Sequence, residues 1–160
     1  MSDDPHGRAL NLWEEGTKIL VSGDVDGAID LFTRSLETEP TAEAYTFRGW
    51  AYSFQGRVDE AIEECRKAIA TDPTFGNPYN DIGSYLVALG KPEESVPWFE
   101  KAKRAARYEP RHFPYLNLGR VYYARGDVSE ALAEFEAALA IAPGDPVARA
   151  FLEELRLKVN

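Results

Sequence analysis

Apolar residues recur at three- and four-residue steps through most of the chain. Tyr115, Leu118 and Tyr122 trace one such stripe, and Val128, Ala131, Leu132, Phe135 and Leu139 trace the next. That is the 3.6-residue period of an amphipathic helix, not the alternation of a half-buried strand. The stripes are punctuated regularly. The segments GDVDGA, QGRVDE, GKPEES and RGDVSE each have the length of a tight helix–helix turn. Pro40, Pro73, Pro110 and Pro143 cannot continue a helix, so each closes the second stripe of a pair. The pattern predicts a series of helix–turn–helix units.

The units repeat. Gly16, Gly49, Gly83 and Gly119 are spaced by 33, 34 and 36 residues, and a second glycine follows each by seven, at Gly23, Gly56, Gly90 and Gly126. Twelve residues after each first glycine stands a small side chain, Ala28, Ala61, Ser95 or Ala131. Next come Phe32, Cys65, Phe99 and Phe135, then Ser35, Ala68, Ala102 and Ala138. A glycine inside a helix costs about 1 kcal/mol relative to alanine, so four of them need a packing reason. The expected one is that each first glycine faces the small residue twelve positions on, where the two antiparallel helices cross, with the phenylalanines filling the space beside it. The third unit is longer because KAKRAARYEP delays its proline, which predicts a longer second helix or a wider exit loop. Pro97 inside that helix removes one backbone hydrogen bond and predicts a modest bend.

The motif resembles the tetratricopeptide repeat, whose signature runs aromatic, Leu-Gly, Tyr, Ala, Phe, Pro over 34 residues. The last unit carries it as Tyr115, Leu118, Gly119, Tyr122, Ala131, Phe135 and Pro143. The second has Tyr45, Gly49, Tyr52, Ala61 and Pro73, with Arg48 in the Leu slot and Cys65 in the Phe slot. The third has Tyr79, Ile82, Gly83, Phe99 and Pro110, with Leu86 and Ser95 as departures. The first is loosest, with Leu12, Glu15, Gly16 and Ile19 leading. The resemblance implies an all-α solenoid, a right-handed superhelix of four antiparallel helix pairs at about 9–41, 42–75, 76–111 and 112–145. After Pro143, Asp145 offers an N-cap and Pro146 suits a first helical turn. Val147, Phe151, Leu152, Leu155 and Val159 then line one face of an expected solvating helix at about 146–159. Residues 8–159 are read as a single domain, and residues 1–7, which lack an apolar pattern, as an unstructured lead.

Composition narrows the function classes. The 160 residues hold 18 basic and 27 acidic side chains, a formal charge of −9, which disfavours nucleic acid and anionic membrane. Residues 1–75 carry 7 basic and 15 acidic groups and residues 76–160 carry 11 and 12, so the acidity belongs to the first half. No 18-residue apolar run and no signal-like start are seen, and the single Cys65 excludes an intrachain disulfide and fits a reducing compartment; the expectation is a soluble cytoplasmic protein.

Chemistry is sparse. His6 and His112 stand in no metal-ligand spacing. Cys65, in a core slot, reads as a buried inert thiol. Asp24-Val25-Asp26-Gly27 lacks the further oxygen ligands of a calcium loop and reads as a turn. Glu14-Glu15, Glu63-Glu64, Glu93-Glu94 and Glu153-Glu154 read as solvated helix faces. No phosphate-binding loop occurs, so no cofactor, no metal and no enzymatic activity are expected. Lys101, Lys103, Arg104, Arg107 and Arg111 form the one basic stretch, read as a solvated face with a docking patch as the alternative.

The resemblance also implies a concave groove lined by the first helices, which binds a peptide or helix of a partner protein. The inward slots map to Trp13, Thr17 and Leu20, then Thr46, Trp50 and Phe54, then Asn77, Asn80, Ser84 and Val87, then Phe113, Leu116, Asn117, Arg120 and Tyr123. Aromatics and Arg in such a groove match the make-up of interface hot spots; packing between neighbouring first helices is the alternative for Trp13 and Trp50. Co-chaperones of this family grip a C-terminal carboxylate with a clamp of Lys, Asn, Asn, Lys and Arg. Here those slots hold Trp13, Thr17, Phe47, Asn77 and Asp81, or one unit on, Thr46, Trp50, Asp81, Phe113 and Asn117, so the clamp is absent. The leading expectation is a non-catalytic interaction scaffold or adaptor. The alternative is a self-associating repeat, through its apolar ends or Trp98.

Overall fold

Where the chain leaves each turn, a short polar side chain often caps the next helix. In the computed structural model, which describes residues 4–159, Asp4 accepts from Gly7 N, Asp24 from Gly27 N, Thr41 from Ala44 N and Asp145 from Ala148 N. The capping use of Asp24 is the structural role of the Asp-Val-Asp-Gly segment. Nine helices run through the described residues: α1 (Pro5–Val21), α2 (Val25–Thr38), α3 (Ala42–Phe54), α4 (Val58–Thr71), α5 (Asn77–Ala88), α6 (Pro92–Arg104), α7 (Phe113–Arg125), α8 (Val128–Ile141) and α9 (Pro146–Val159). They pair as α1–α2, α3–α4, α5–α6 and α7–α8, each pair stacks on the next, and α9 closes the stack against α8. This is an all-α solenoid. The second glycine of each unit ends the first helix with φ between 77° and 102°, in the left-handed region where a side chain is strained.

The start of the chain differs from expectation. Residues 4–7 are not an unstructured lead: with Asp4 as cap and Pro5 in the first turn, they begin α1. His6 is tied to Glu39 at the end of α2. Residues 1–3 lie outside the described residues.

The first glycines meet an aromatic ring more often than the small residue twelve positions on. A Cβ added to Gly16 would stand 2.7 Å from the Phe32 ring, and one added to Gly83 or Gly119 would stand 2.5 Å from Phe99 or Phe135. The reason is reach: a Phe one turn beyond the Ala or Ser lays its ring back over the facing helix. Phe32, Phe99 and Phe135 are all fully buried. Only the second unit, with Cys65 in the Phe slot, sets its glycine against Ala61, whose carbonyl oxygen would lie 3.0 Å from a Cβ on Gly49.

That unit also carries a part-buried ion pair between α3 and α4. Arg48 donates through Nε to Glu64 Oε2 at 2.7 Å and through Nη2 to Glu64 Oε1 at 3.0 Å. Its guanidinium lies between the rings of Tyr45 and Tyr52, about 6 Å from each centroid. Cys65 itself is buried, and burial, with Asp81 and Glu64 nearby, pushes its thiol well up.

The longer third unit widens its loop and leaves its helix short. α6 ends at Arg104, and residues 105–112 reach back to the 72–76 turn, where Arg107 N donates to Thr74 O and Gly76 N to Arg107 O, both at 2.9 Å. Arg107 also bridges Glu43 and Asp72 at 2.7 Å. Hydrogen bonds from Thr74 and the Arg107 guanidinium hold the Asp72 carboxyl down to about 2. Lys103 is shared between Glu100 and Glu134, and Arg111 caps the carbonyls of Ala105 and Ala106. Three of the five cations in the basic stretch are thus structural. No helix among the described residues is long and apolar enough to cross a membrane.

Two stability predictions follow from this packing. Gly119→Ala should lower unfolding stability by about 1–3 kcal/mol in urea titrations, against alanine's helix propensity, while Gly144→Ala, whose Cβ meets nothing within 4 Å, should change it by under about 0.5 kcal/mol. Glu64→Ala leaves the part-buried Arg48 with no carboxylate and only Thr33 Oγ1 as a side-chain acceptor, and should cost about 2 kcal/mol in the same assay.

Candidate functional site

The first helices of successive pairs also touch one another, α1 with α3, α3 with α5 and α5 with α7, whereas no such run of contacts joins the second helices. The first helices therefore line the tighter, concave side. Across α3, α5 and α7 this side opens into a cavity of about 580 Å³, lined among others by Trp50, Asn77, Asn80, Asp81, Phe113 and Asn117. A second cavity of about 440 Å³ continues it toward Val87 and Phe99, sharing Ser84, Asn117 and Arg120.

The floor is polar and the walls are apolar. Asn117 Nδ2 donates to Asn80 Oδ1 at 3.0 Å, joining α7 to α5. That bond consumes one of the two donors of Asn117 and leaves its oxygen, and the Asn80 amide nitrogen, without a partner among the described residues. Phe47 and Trp50 stand together with ring centroids 5.9 Å apart, and Phe113, 42 % exposed, faces the groove from the start of α7. Arg120 is exposed and lines both cavities.

Of the residues expected from sequence, Trp50, Asn77, Asn80, Ser84, Asn117 and Arg120 come together in this groove, as do Phe113 and Leu116. Others do not. Thr46 is completely buried, its hydroxyl donating to Ala42 O within α3. Trp13 is half-buried and stacks on Phe47 at 5.3 Å, so it packs α1 to α3. Thr17 turns its hydroxyl back to Trp13 O. Phe54 is 56 % exposed against Trp50, outside the cavity lining. Tyr123 is covered by the closing helix: its ring meets Phe151 edge-on and its hydroxyl donates to Glu154. Trp98, expected on the outer face, is half-buried with Arg66 and Lys101 over its ring.

Phe47 and Asp81, which the sequence mapping put in the clamp slots, also line the cavity, and so do Tyr108, Asp145 and Val147, which it did not place there. Asp81 had a legible signal: it lies four residues after Asn77 and three before Ser84, on the same helical face. Burial pushes its carboxyl from 3.8 up to about 7. Asp145 and Val147 arrive only because α9 folds back over α8, a tertiary event with no local pattern.

Between about pH 4 and 7 the folded chain therefore holds a proton at Asp81 that the unfolded chain releases. Its stability contribution is complete below about pH 4 and is lost as pH rises through about 7. Asp81→Asn, which keeps the shape without the charge, should raise unfolding stability by about 2 kcal/mol at pH 8 and hardly change it at pH 4, read by thermal melts at the two pH values.

Residues 42–75 and 75–144 each match a family profile described as tetratricopeptide repeat. Small glutamine-rich tetratricopeptide repeat-containing protein 2 of Mycosarcoma maydis is 32 % identical over 101 residues, 62 % of this chain and 29 % of that protein. The chain spans less than a third of the length of such curated relatives. The solved structure of Pseudomonas aeruginosa pilF matches with a TM-score of 0.89 at 23 % identity, over 96 % of this chain and 70 % of that one. The second such domain of Spaghetti (RPAP3), solved bound to the HSP90 peptide SRMEEVD, matches with a TM-score of 0.58 at 24 % identity, over 62 % of this chain and 94 % of that one. At these identities the two structures share the fold.

Proposed function

Because the chain belongs to the tetratricopeptide repeat family, a family of protein-interaction modules, we propose that it is a non-catalytic adaptor whose concave groove binds a peptide or helix of a partner protein. One observation carries the reading. The linked Asn80 and Asn117 amides leave a donor and an acceptor open on a groove floor walled by Trp50 and Phe113. A main chain laid along that floor needs both, one for its carbonyl and one for its N–H. Aromatic walls then bury its side chains with little loss of rotamer freedom. A single thiol buried in the core is compatible with work in a reducing cytoplasm.

The occupant differs from the acidic HSP90 tail bound by the RPAP3 domain. That tail needs cations in the groove, and the slots that would supply them here hold Trp13, Thr17, Phe47, Asn77 and Asp81. Asp81 repels a carboxylate.

Peptides selected from a random library on the full chain supply the test. Titration calorimetry should show Trp50→Ala weakening their binding by about thirtyfold and Asn117→Ala by about tenfold, while Lys101→Ala on α6 leaves it unchanged. Affinities indifferent to Trp50 and Asn117 would remove the groove from the account.

A further inference from the structure

Two acceptors on the groove floor have no donor, although spare N–H groups of Asn80 and Asn117 lie on the same floor. Asn80 Oδ1 is satisfied by Asn117, but Asn77 Oδ1 is buried without a partner. The Asp81 carboxylate, one turn further along α5, has no hydrogen bond or ion pair among the described residues, and both side chains line the same cavity. A buried acceptor left without a donor is costly, and a half-buried carboxylate without a counter-ion is costly too. Burial alone displaces Asp81 from its ordinary value, so no cation of the chain offsets it. Arg120, exposed on the ridge between the two cavities, is set in water that screens its charge. Phe47, Trp50 and Phe113 present aromatic surface to the same space, and ring faces attract cations.

We infer that the groove is built for a basic side chain, a Lys ammonium or Arg guanidinium carried by the bound segment, which donates to the Asp81 carboxylate and to Asn77 Oδ1 between the aromatic walls. This rests on the groove reading and gives it a sign. A cation placed there supplies the missing donors and holds Asp81 ionised. The same cavity excludes an acidic side chain, because two carboxylates would share a desolvated floor.

Binding of this kind strengthens with pH as Asp81 loses its proton. The groups near Asp81 are Cys65 on α4, Tyr85 on α5 and Tyr108 in the 105–112 loop, with Arg120 and Asp145 on the same cavity and His112 3.7 Å from Asp145. Burial pushes the Cys65 thiol and both phenols upward, so these three stay neutral through pH 8. Comparison with Asp81→Asn separates Asp81 from His112.

The experiment uses the isotope-labelled full chain and four pools of acetylated, amidated heptapeptides. Each pool has a fixed central Arg, Lys, Gln or Glu and randomised flanks, and binding is followed by amide chemical shifts. At pH 8 the Arg and Lys pools should bind at least about tenfold tighter than the Gln pool, the Glu pool weakest, with shifts centred on Asn77, Asp81 and Asn117. The preference should shrink toward pH 5.5. In Asp81→Asn it should fall below about threefold and lose its pH dependence, and Asn77→Ala, as a second variant, should also reduce it; the amide spectrum of each variant reports whether it is folded. If all four pools shift the groove equally, or the Glu pool binds as well as the Arg pool, the basic side chain is wrong and the groove stands. If no pool moves groove signals, the groove reading falls and this inference with it.

Discussion

A helix without a side chain at one point, facing a ring that needs that point, sets the spacing of this molecule. Gly16, Gly83 and Gly119 let the rings of Phe32, Phe99 and Phe135 lie against bare backbone, at distances where a single methyl would collide. Close-packed interiors have no slack to absorb such a collision. The contact recurs in three of the four pairs and sets how closely the two helices of each approach. Each hairpin then presents an apolar face that only the next hairpin can cover, so the stack is cooperative along one axis. The concave side is a consequence. Once the first helices are held close to one another, their outward residues must converge, and a floor built from α5 and α7 with a wall from α3 results.

The second unit shows how much the contact matters by how it is replaced. With Cys65 where a ring belongs, Gly49 meets the Ala61 backbone instead, and Arg48, bonded twice to Glu64, lies about 6 Å from the Tyr45 and Tyr52 rings. A buried ion pair is a poor source of stability compared with apolar packing, but breaking it leaves a charge stranded.

Much of this is legible in the residue pattern, and the reasons for the rest are physical. The glycine and proline periods report helix ends and turns, because those depend on backbone freedom that few residues have. Helical spacing places Trp50, Asn77, Asn80, Ser84 and Asn117 on the concave side, since a face is a local property. The register of one helix against another is not local. Thr46 is buried, Trp13 is taken up by Phe47 of α3, and Tyr123 is covered by α9; the last two outcomes depend on a helix distant in sequence. The basic stretch after Trp98 reads as a charged surface, yet Lys103, Arg107 and Arg111 are drawn inward to bind loops and carboxylates of other units. Asp81 is legible in position, by its spacing from Asn77, but its protonation depends on the walls that the other helices build.

The central claim is that the concave face, and not the convex one, is where another protein docks. The most direct measurement places a photo-crosslinking benzoylphenylalanine at Phe113, on the groove, or at Lys101, on α6, in the full chain expressed in its own cell. Irradiation should yield a discrete partner adduct from position 113 and none from position 101. A discrete adduct from position 101 with none from position 113 would contradict the account.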